Sequence, residues 1–367
     1  MSIPDTPVDE SGEIPVGNEV GKGAEGVVYK IVESDEVLKV LDEDRRREKA
    51  DKVRTMVDNQ PIDPTFRKHG IRTIVWPSSV VYDENSEQFV GYRMPYKDLD
   101  ECESLSNYLL KNKLSSERDL SRRFILARNL AIVVSEIHRQ GHALGDMNPK
   151  NILVNDLVVS LIDCDGFFIR GPDRSYLGGT FRPAFTPPGG LEDDIEEARL
   201  CDRFGLAVHI FKILMDNYHP FHARGAGSVS GSFDDWIRAY EFPYEEPKPG
   251  RIEPPIDAPD YDTLPTRVRE LFATCFIEGK REGERRPAAS EWAEALNEAY
   301  RYKGSTAESS QSDIWTGWEL RGDAGRDGVH SENPWEEWIF PGARRHTDGS
   351  EPSEDPWNGW AAFDRSE

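Results

Sequence analysis

Residues 142–154, His-Ala-Leu-Gly-Asp-Met-Asn-Pro-Lys-Asn-Ile-Leu-Val, and residues 161–167, Leu-Ile-Asp-Cys-Asp-Gly-Phe, decide the fold. Asp146 and Asn151 stand in the spacing D-x-x-x-x-N, and an apolar strand, Ile152-Leu153-Val154, follows at once. A second apolar strand, Val158 to Ile162, ends on Asp163 after a short hairpin. Each polar residue alone reads as a turn former at a strand end. Together their spacing brings Asn151 and Asp163 onto one Mg²⁺ as hard oxygen ligands. Asp146, on the adjoining loop, is then placed to accept or orient the proton of an attacking hydroxyl.

Upstream, Gly21-Lys22-Gly23-Ala24-Glu25-Gly26-Val27-Val28 fits G-x-G-x-x-G-x-V within a stretch of alternating apolar and polar residues. Glycine lets backbone amides approach phosphate oxygens with no Cβ in the way. Gly21, Gly23, Gly26 and Val28 are therefore the candidate nucleotide contacts, although a glycine-bearing hairpin alone would look the same. A dinucleotide-binding reading is disfavoured, because the motif lies between strands and opens no helix. Lys39, in Val37-Leu38-Lys39-Val40, is an ammonium inside an apolar strand, and beside the glycine turn it reads as a phosphate partner. Its own anionic partner is sought on the next helix, Asp42 to Val57. Glu48 is the choice, with Glu43 and Asp44 one turn away as alternatives. That helix is so charged that it is expected to be mostly solvated.

Ile74-Val75-Trp76, Val80-Val81-Tyr82 and Phe89 to Met94 read as further strands of a small sheet-based lobe. After Pro95 the pattern changes to helical spacing, with Phe124, Leu126, Leu130, Ile132, Val133 and Ile137 on one buried face. Arg199 to Met215, Arg267 to Cys275 and Ala288 to Tyr300 also read as helices. The fold class is α+β, strands first and helices after.

These segments resemble the eukaryotic-like protein kinase superfamily, over roughly Ile14 to Lys303. Trp76-Pro77, Gly91 to Pro95, Gly145 to Asn151 and His219-Pro220-Phe221 are similar to a divergent prokaryotic branch. Some members of that branch carry helix-hairpin-helix segments, which are not seen here. The resemblance implies a two-lobed protein-kinase-like fold: an antiparallel-sheet N-lobe over 14–95 and a mainly helical C-lobe over 96–303. It implies ATP and Mg²⁺ in the cleft, with adenine near Met94, Pro95 and Tyr96, and transfer of the γ-phosphate to Ser or Thr of a protein substrate. Asp202 is implied as the cap of the catalytic loop backbone, and Arg286 as the arginine near the end of the domain.

Several positions depart from the usual pattern. His-Arg-Asp is Leu144-Gly145-Asp146, so the arginine that receives an activation-loop phosphate is gone. Asn148 stands where a loop lysine is expected, with Lys150 as a possible substitute. Asp-Phe-Gly is Asp163-Cys164-Asp165, and Thr186-Pro187-Pro188-Gly189 lacks the usual glutamate, with Glu192 as the candidate replacement. The losses touch regulation more than the phosphate and metal parts, so an active kinase is favoured over a nucleotide-binding pseudokinase that acts as a scaffold. A small-molecule phosphotransferase is the third reading.

The 367 residues carry a net charge of −23, which excludes general affinity for nucleic acid or an anionic membrane. The hydrophobic fraction of 37% fits an ordered domain with polar extensions. Residues 1–13 are expected to be disordered and 304–367 to form an acidic tail. That tail repeats Trp-x-x-Trp at Trp315/Trp318, Trp335/Trp338 and Trp357/Trp360. Such rings either dock on the chain's own lobes or recruit a protein partner by avidity. Four scattered cysteines, no signal-like start and no long apolar run fit a cytoplasmic protein.

Overall fold

The computed structural model describes residues 6–23, 25–179, 182–188, 194–224, 235, 238–245, 252–280 and 282–306. The Trp-x-x-Trp repeats, Gly189 and Glu192 lie outside them.

The N-terminal lobe holds β1 (Pro7–Asp9), β2 (Gly12–Glu13), β3 (Val16–Gly23), β4 (Gly26–Ile31), β5 (Glu36–Leu41), α1 (Glu43–Asp58), α2 (Pro64–His69), β6 (Ser79–Asp83) and β7 (Phe89–Pro95). The strands form one antiparallel sheet in the order β2-β1-β6-β7-β5-β4-β3. The first two strands fall where disorder was expected. Composition misled there because the segment is anchored by a few contacts. Asp9 accepts from Arg93 and Ser79, each at 2.8 Å, and Ile14 is buried in the sheet. Ile74-Val75-Trp76 also departs from expectation. It forms a single parallel bridge to Leu161 of the other lobe and does not join this sheet.

One face of the sheet buries Ile14, Val27, Tyr29, Ile31, Leu38, Val40, Val81 and Val90. The other packs Leu41, Phe89 and Tyr92 against Val53 of α1. Helix α1 is therefore less solvated than its composition suggests. Its inward stripe is Lys49, Lys52, Val53 and Met56, and aliphatic lysine stems complete the apolar stripe. Its C-terminal end is tied down by the Trp76 indole N–H, which donates to the Met56 carbonyl at 2.7 Å. Asn59, the residue after the helix, donates to Arg170 O at 3.0 Å, and its own carbonyl accepts from His142 at 3.0 Å.

The C-terminal lobe continues with β8 (Glu103–Ser104), α3 (Leu105–Lys111), α4 (Glu117–Arg139), β9 (Ile152–Asn155), β10 (Val158–Leu161), β11 (Ile169–Arg170), β12 (Ser175–Tyr176), α5 (Ile195–Leu214), α6 (Thr266–Phe276) and α7 (Ala289–Thr306). Helix α4 starts where the Ser116 hydroxyl accepts the Asp119 amide, and it runs through the lobe's core between α5 and α7. Phe204, Phe211, Phe272, Phe276 and Trp292 fill the space beneath, with Phe272 and Trp292 ring centres 4.8 Å apart. The helical lobe is thus a rigid base, and the β9–β10 hairpin on it faces the sheet.

Candidate active site

The two strand ends that carry the predicted metal ligands are adjacent. Ile152 pairs with Leu161, and one step further Ile162 N–H donates to Asn151 O at 3.0 Å. Asn151 and Asp163 therefore meet at the open end of one hairpin. Asp163 takes a left-handed backbone with φ of 60°, which breaks the strand and turns the chain into the Cys164–Gly166 turn.

Between the lobes lies an open cleft. Gly21, Gly23, Gly26, Val28, Lys39, Met94, Tyr96 and Asp163 all line it, as do Val75, Leu99, Ile162 and Asp165. Val20, Val28 and Val37, packed with Met94 and Tyr96, form an apolar wall. Val75, Leu153 and Ile162 form the opposite one, with Met94 and Leu99. Two apolar walls this close suit a flat aromatic ring. One glycine has a reason besides phosphate access: a Cβ on Gly26 would sit 2.1 Å from the Val40 carbonyl, so β4 and β5 approach only without one.

Lys39 points from β5 into the cleft, and its ammonium meets both oxygens of Asp165 at 3.0 Å and Asp163 at 3.4 Å. Glu48 does not take part. Its side chain is exposed and pairs with Arg45 at 3.1 Å, and Glu43 and Asp44 are exposed as well. Helical phase explains this, because a turn that buries Lys49, Val53 and Met56 sends Glu48 to the solvent side. The partner of Lys39 is Asp165, which sequence reading treated only as a departure in the turn. Asp165 Oδ2 also accepts from Lys49 at 2.9 Å, and Lys49 in turn pairs with Glu25 of the glycine turn. Burial alone would raise the Asp165 carboxyl, but Lys39 and Lys49 hold it well below the usual carboxylate range. Lys52, pushed down to about 8 by burial, donates to the Leu177 carbonyl at 2.9 Å.

Asp146 sits apart from the cleft lining, on a loop fixed from below. Asp202, fully buried in α5, accepts the Leu144 amide at 2.7 Å, the Gly145 amide at 2.8 Å and the His138 ring at 2.9 Å. Gly145 has φ of +73°, a conformation that an arginine would adopt only under strain. Leu144 is buried in the helical lobe. His209 donates to the Met147 carbonyl at 2.7 Å, beneath a Phe185 ring stacked 4.2 Å away. Of the Asp146 carboxylate, Oδ2 lies 4.0 Å from Arg182 Nε, and Oδ1 is buried with no hydrogen-bond partner. Burial raises its pKa to about 6, against the pull of Arg182. Asn148 is buried and accepts the Lys150 amide at 3.1 Å, while Lys150 is exposed. Arg182, which sequence reading did not single out, is the cation nearest Asp146 by direct ion pairing.

Among the described residues no group of three or more His, Cys, Asp or Glu forms a metal cage. The oxygen donors of Asn151 and Asp163 still fit Mg²⁺, which is held by one or two protein ligands and completed by substrate phosphates. No described helix is long and apolar enough to cross a membrane.

No family model matches the chain. It is 29% identical over 300 residues to a protein named protein kinase YegI from Escherichia coli strain K12, covering 78% of this chain and 45% of that one. The protein of the same name from Escherichia coli O157:H7 is 29% identical over 292 residues, covering 77% and 44%. The chain thus spans less than half the length of these curated relatives. Joined to a sheet lobe over a helical lobe, these matches support a likeness to a divergent prokaryotic branch of protein-kinase-like proteins.

Proposed function

We propose that the chain is an ATP-dependent protein kinase that transfers a phosphoryl group to a Ser or Thr hydroxyl of a protein substrate. The observation that carries this reading is the shared cleft of the glycine turn, Lys39 and Asp163, with Asp146 presented beside it on a loop pinned by Asp202. Phosphoryl transfer asks for positioning and charge neutralisation more than for covalent chemistry. Lys39 supplies a fixed cation, and the apolar walls near Met94 and Tyr96 suit adenine. Asn151 and Asp163 would hold Mg²⁺, which neutralises phosphate charge when bound. Asp146, with 25% of its side chain exposed, offers its carboxylate to the substrate hydroxyl. Ser/Thr specificity rests on the superfamily resemblance, and the proposal includes a protein partner recruited by the tryptophan repeats.

Incubation with labelled ATP and Mg²⁺ tests the reading, comparing wild type with Asp163→Ala and Asp146→Ala. Transfer to the chain itself or to a general protein acceptor, lost in both variants, is expected. Retained nucleotide binding without transfer would replace the enzyme with a scaffold. For the partner, deletion of residues 307–367 should abolish capture by an immobilised binder, and unchanged capture would sink that part.

A further inference from the structure

Lys49 occupies a position that local sequence leaves unremarkable, in a helix where 11 of 16 residues are charged. In the fold its ammonium is enclosed, with 10% of the side chain exposed, between two carboxylates from different parts of the chain. Asp165 comes from the turn after β10, and Glu25 from the turn between β3 and β4. Two buried ammoniums, Lys39 and Lys49, thus share one buried carboxylate, Asp165. Taking that many charges out of water is costly unless each has a partner. Asp163 and Asp165 balance the two ammoniums, and Glu25 adds a third carboxylate on Lys49 from the glycine turn. Lys49 does not itself line the cleft, so it acts on a bound nucleotide only through Asp165 and Glu25.

We propose that Lys49 is a positioning residue that couples the glycine turn to the phosphate-binding lysine. From one side it holds Asp165 against Lys39, and from the other it draws Glu25 and its turn down over the cleft. Helix α1, the turn around Asp163 and the glycine turn then move as one unit. This inference deepens the phosphotransfer reading and rests on it. It differs from the expected arrangement in sign, because the helix contributes a cation and the anion comes from Asp165.

Two measurements test it. In steady-state kinetics, Lys49→Met should lower kcat by about 100-fold and raise KM for ATP by about tenfold, because misplacement of an aligned group costs on that order. Lys49→Arg should recover most of both losses. Glu25→Gln, changed only at the turn, should move KM more than kcat. In amide hydrogen exchange without nucleotide, residues 21–28 should exchange about tenfold faster in Lys49→Met and in Glu25→Gln, reporting local opening of the turn. Wild-type protein that binds no nucleotide and transfers no phosphate sinks the kinase reading, while the exchange comparison still decides the coupling. A folded Lys49→Met variant with wild-type exchange in the turn, or with a lower melting temperature and unchanged kinetic constants, overturns the role of Lys49. If Lys49→Met does not fold, Glu25→Gln carries the same exchange test alone.

Discussion

The phosphate end of the cleft and the loop that carries Asp146 are held by opposite means. At the phosphate end the fasteners are side-chain charges: Lys39, Lys49, Asp163, Asp165 and Glu25, drawn from four separate segments. Beneath Asp146 the fasteners grip the backbone: Asp202 on two amides, and His209 on the Met147 carbonyl. Charges that pair with each other can exchange partners when a polyanion arrives. Backbone amides held by a buried carboxylate have no alternative partner, so that loop keeps one shape. The molecule thus separates a part that responds to ligand from a part that must stay still.

The comparison breaks most sharply at Asp163. Replacing it with Asn keeps the shape but removes the charge that would meet a metal in the proposed reaction, and transfer should fall by about 1,000-fold in a phosphate-incorporation assay. Asp202→Ala attacks the still part. It leaves two buried amides without an acceptor and should cost about 3 kcal/mol in denaturant unfolding, with activity falling alongside. Asp146 gives a pH test. Its carboxyl, raised to about 6 by burial, is a proton acceptor only when ionised, so kcat should climb with pH through a midpoint of about 6 to a plateau. Arg182 pulls that value down, so Arg182→Gln should move the midpoint to higher pH and lower the rate between pH 6 and 7. The smallest effect is Gly145→Ala, where a left-handed backbone should cost about 1 kcal/mol, read as a few degrees in melting temperature.

The still part was the more legible in sequence. Asp146 stands at a fixed short spacing from Asn151 beside an apolar strand, and the resemblance implied the cap by Asp202. In the responsive part Lys39 and Asp163 were legible, but the links through Lys49, Asp165 and Glu25 were hidden. The Lys49–Asp165 contact joins residues 116 positions apart, and no local pattern reports it. Lys49 looked like one more solvated charge because the periodic stripe counts apolar residues, while here the stems of Lys49 and Lys52 fill two of its places. Asp165 was visible as an acid where glycine is usual, but its partner could not be read without the phase of α1. The N-terminal strands were missed for a related reason: acids and prolines suggest disorder, and the Asp9–Arg93 pair that anchors them spans 84 positions.

The lashing of Met56 and Asn59 at the end of α1 has a mechanical consequence. With the tail of the helix tethered to Trp76, His142 and Arg170, a tilt of the helix turns about that end. Helix α1 is then a lever whose fulcrum lies at the lobe junction. Lys49 lies ten residues before Asn59, about 15 Å along the helix axis. A tilt of a few degrees about the fulcrum moves its ammonium by roughly 1 Å, enough to strain or seat the contact with Asp165. Small rotations of the helix, with no sliding of one lobe over the other, are therefore sufficient to set the alignment of Lys39.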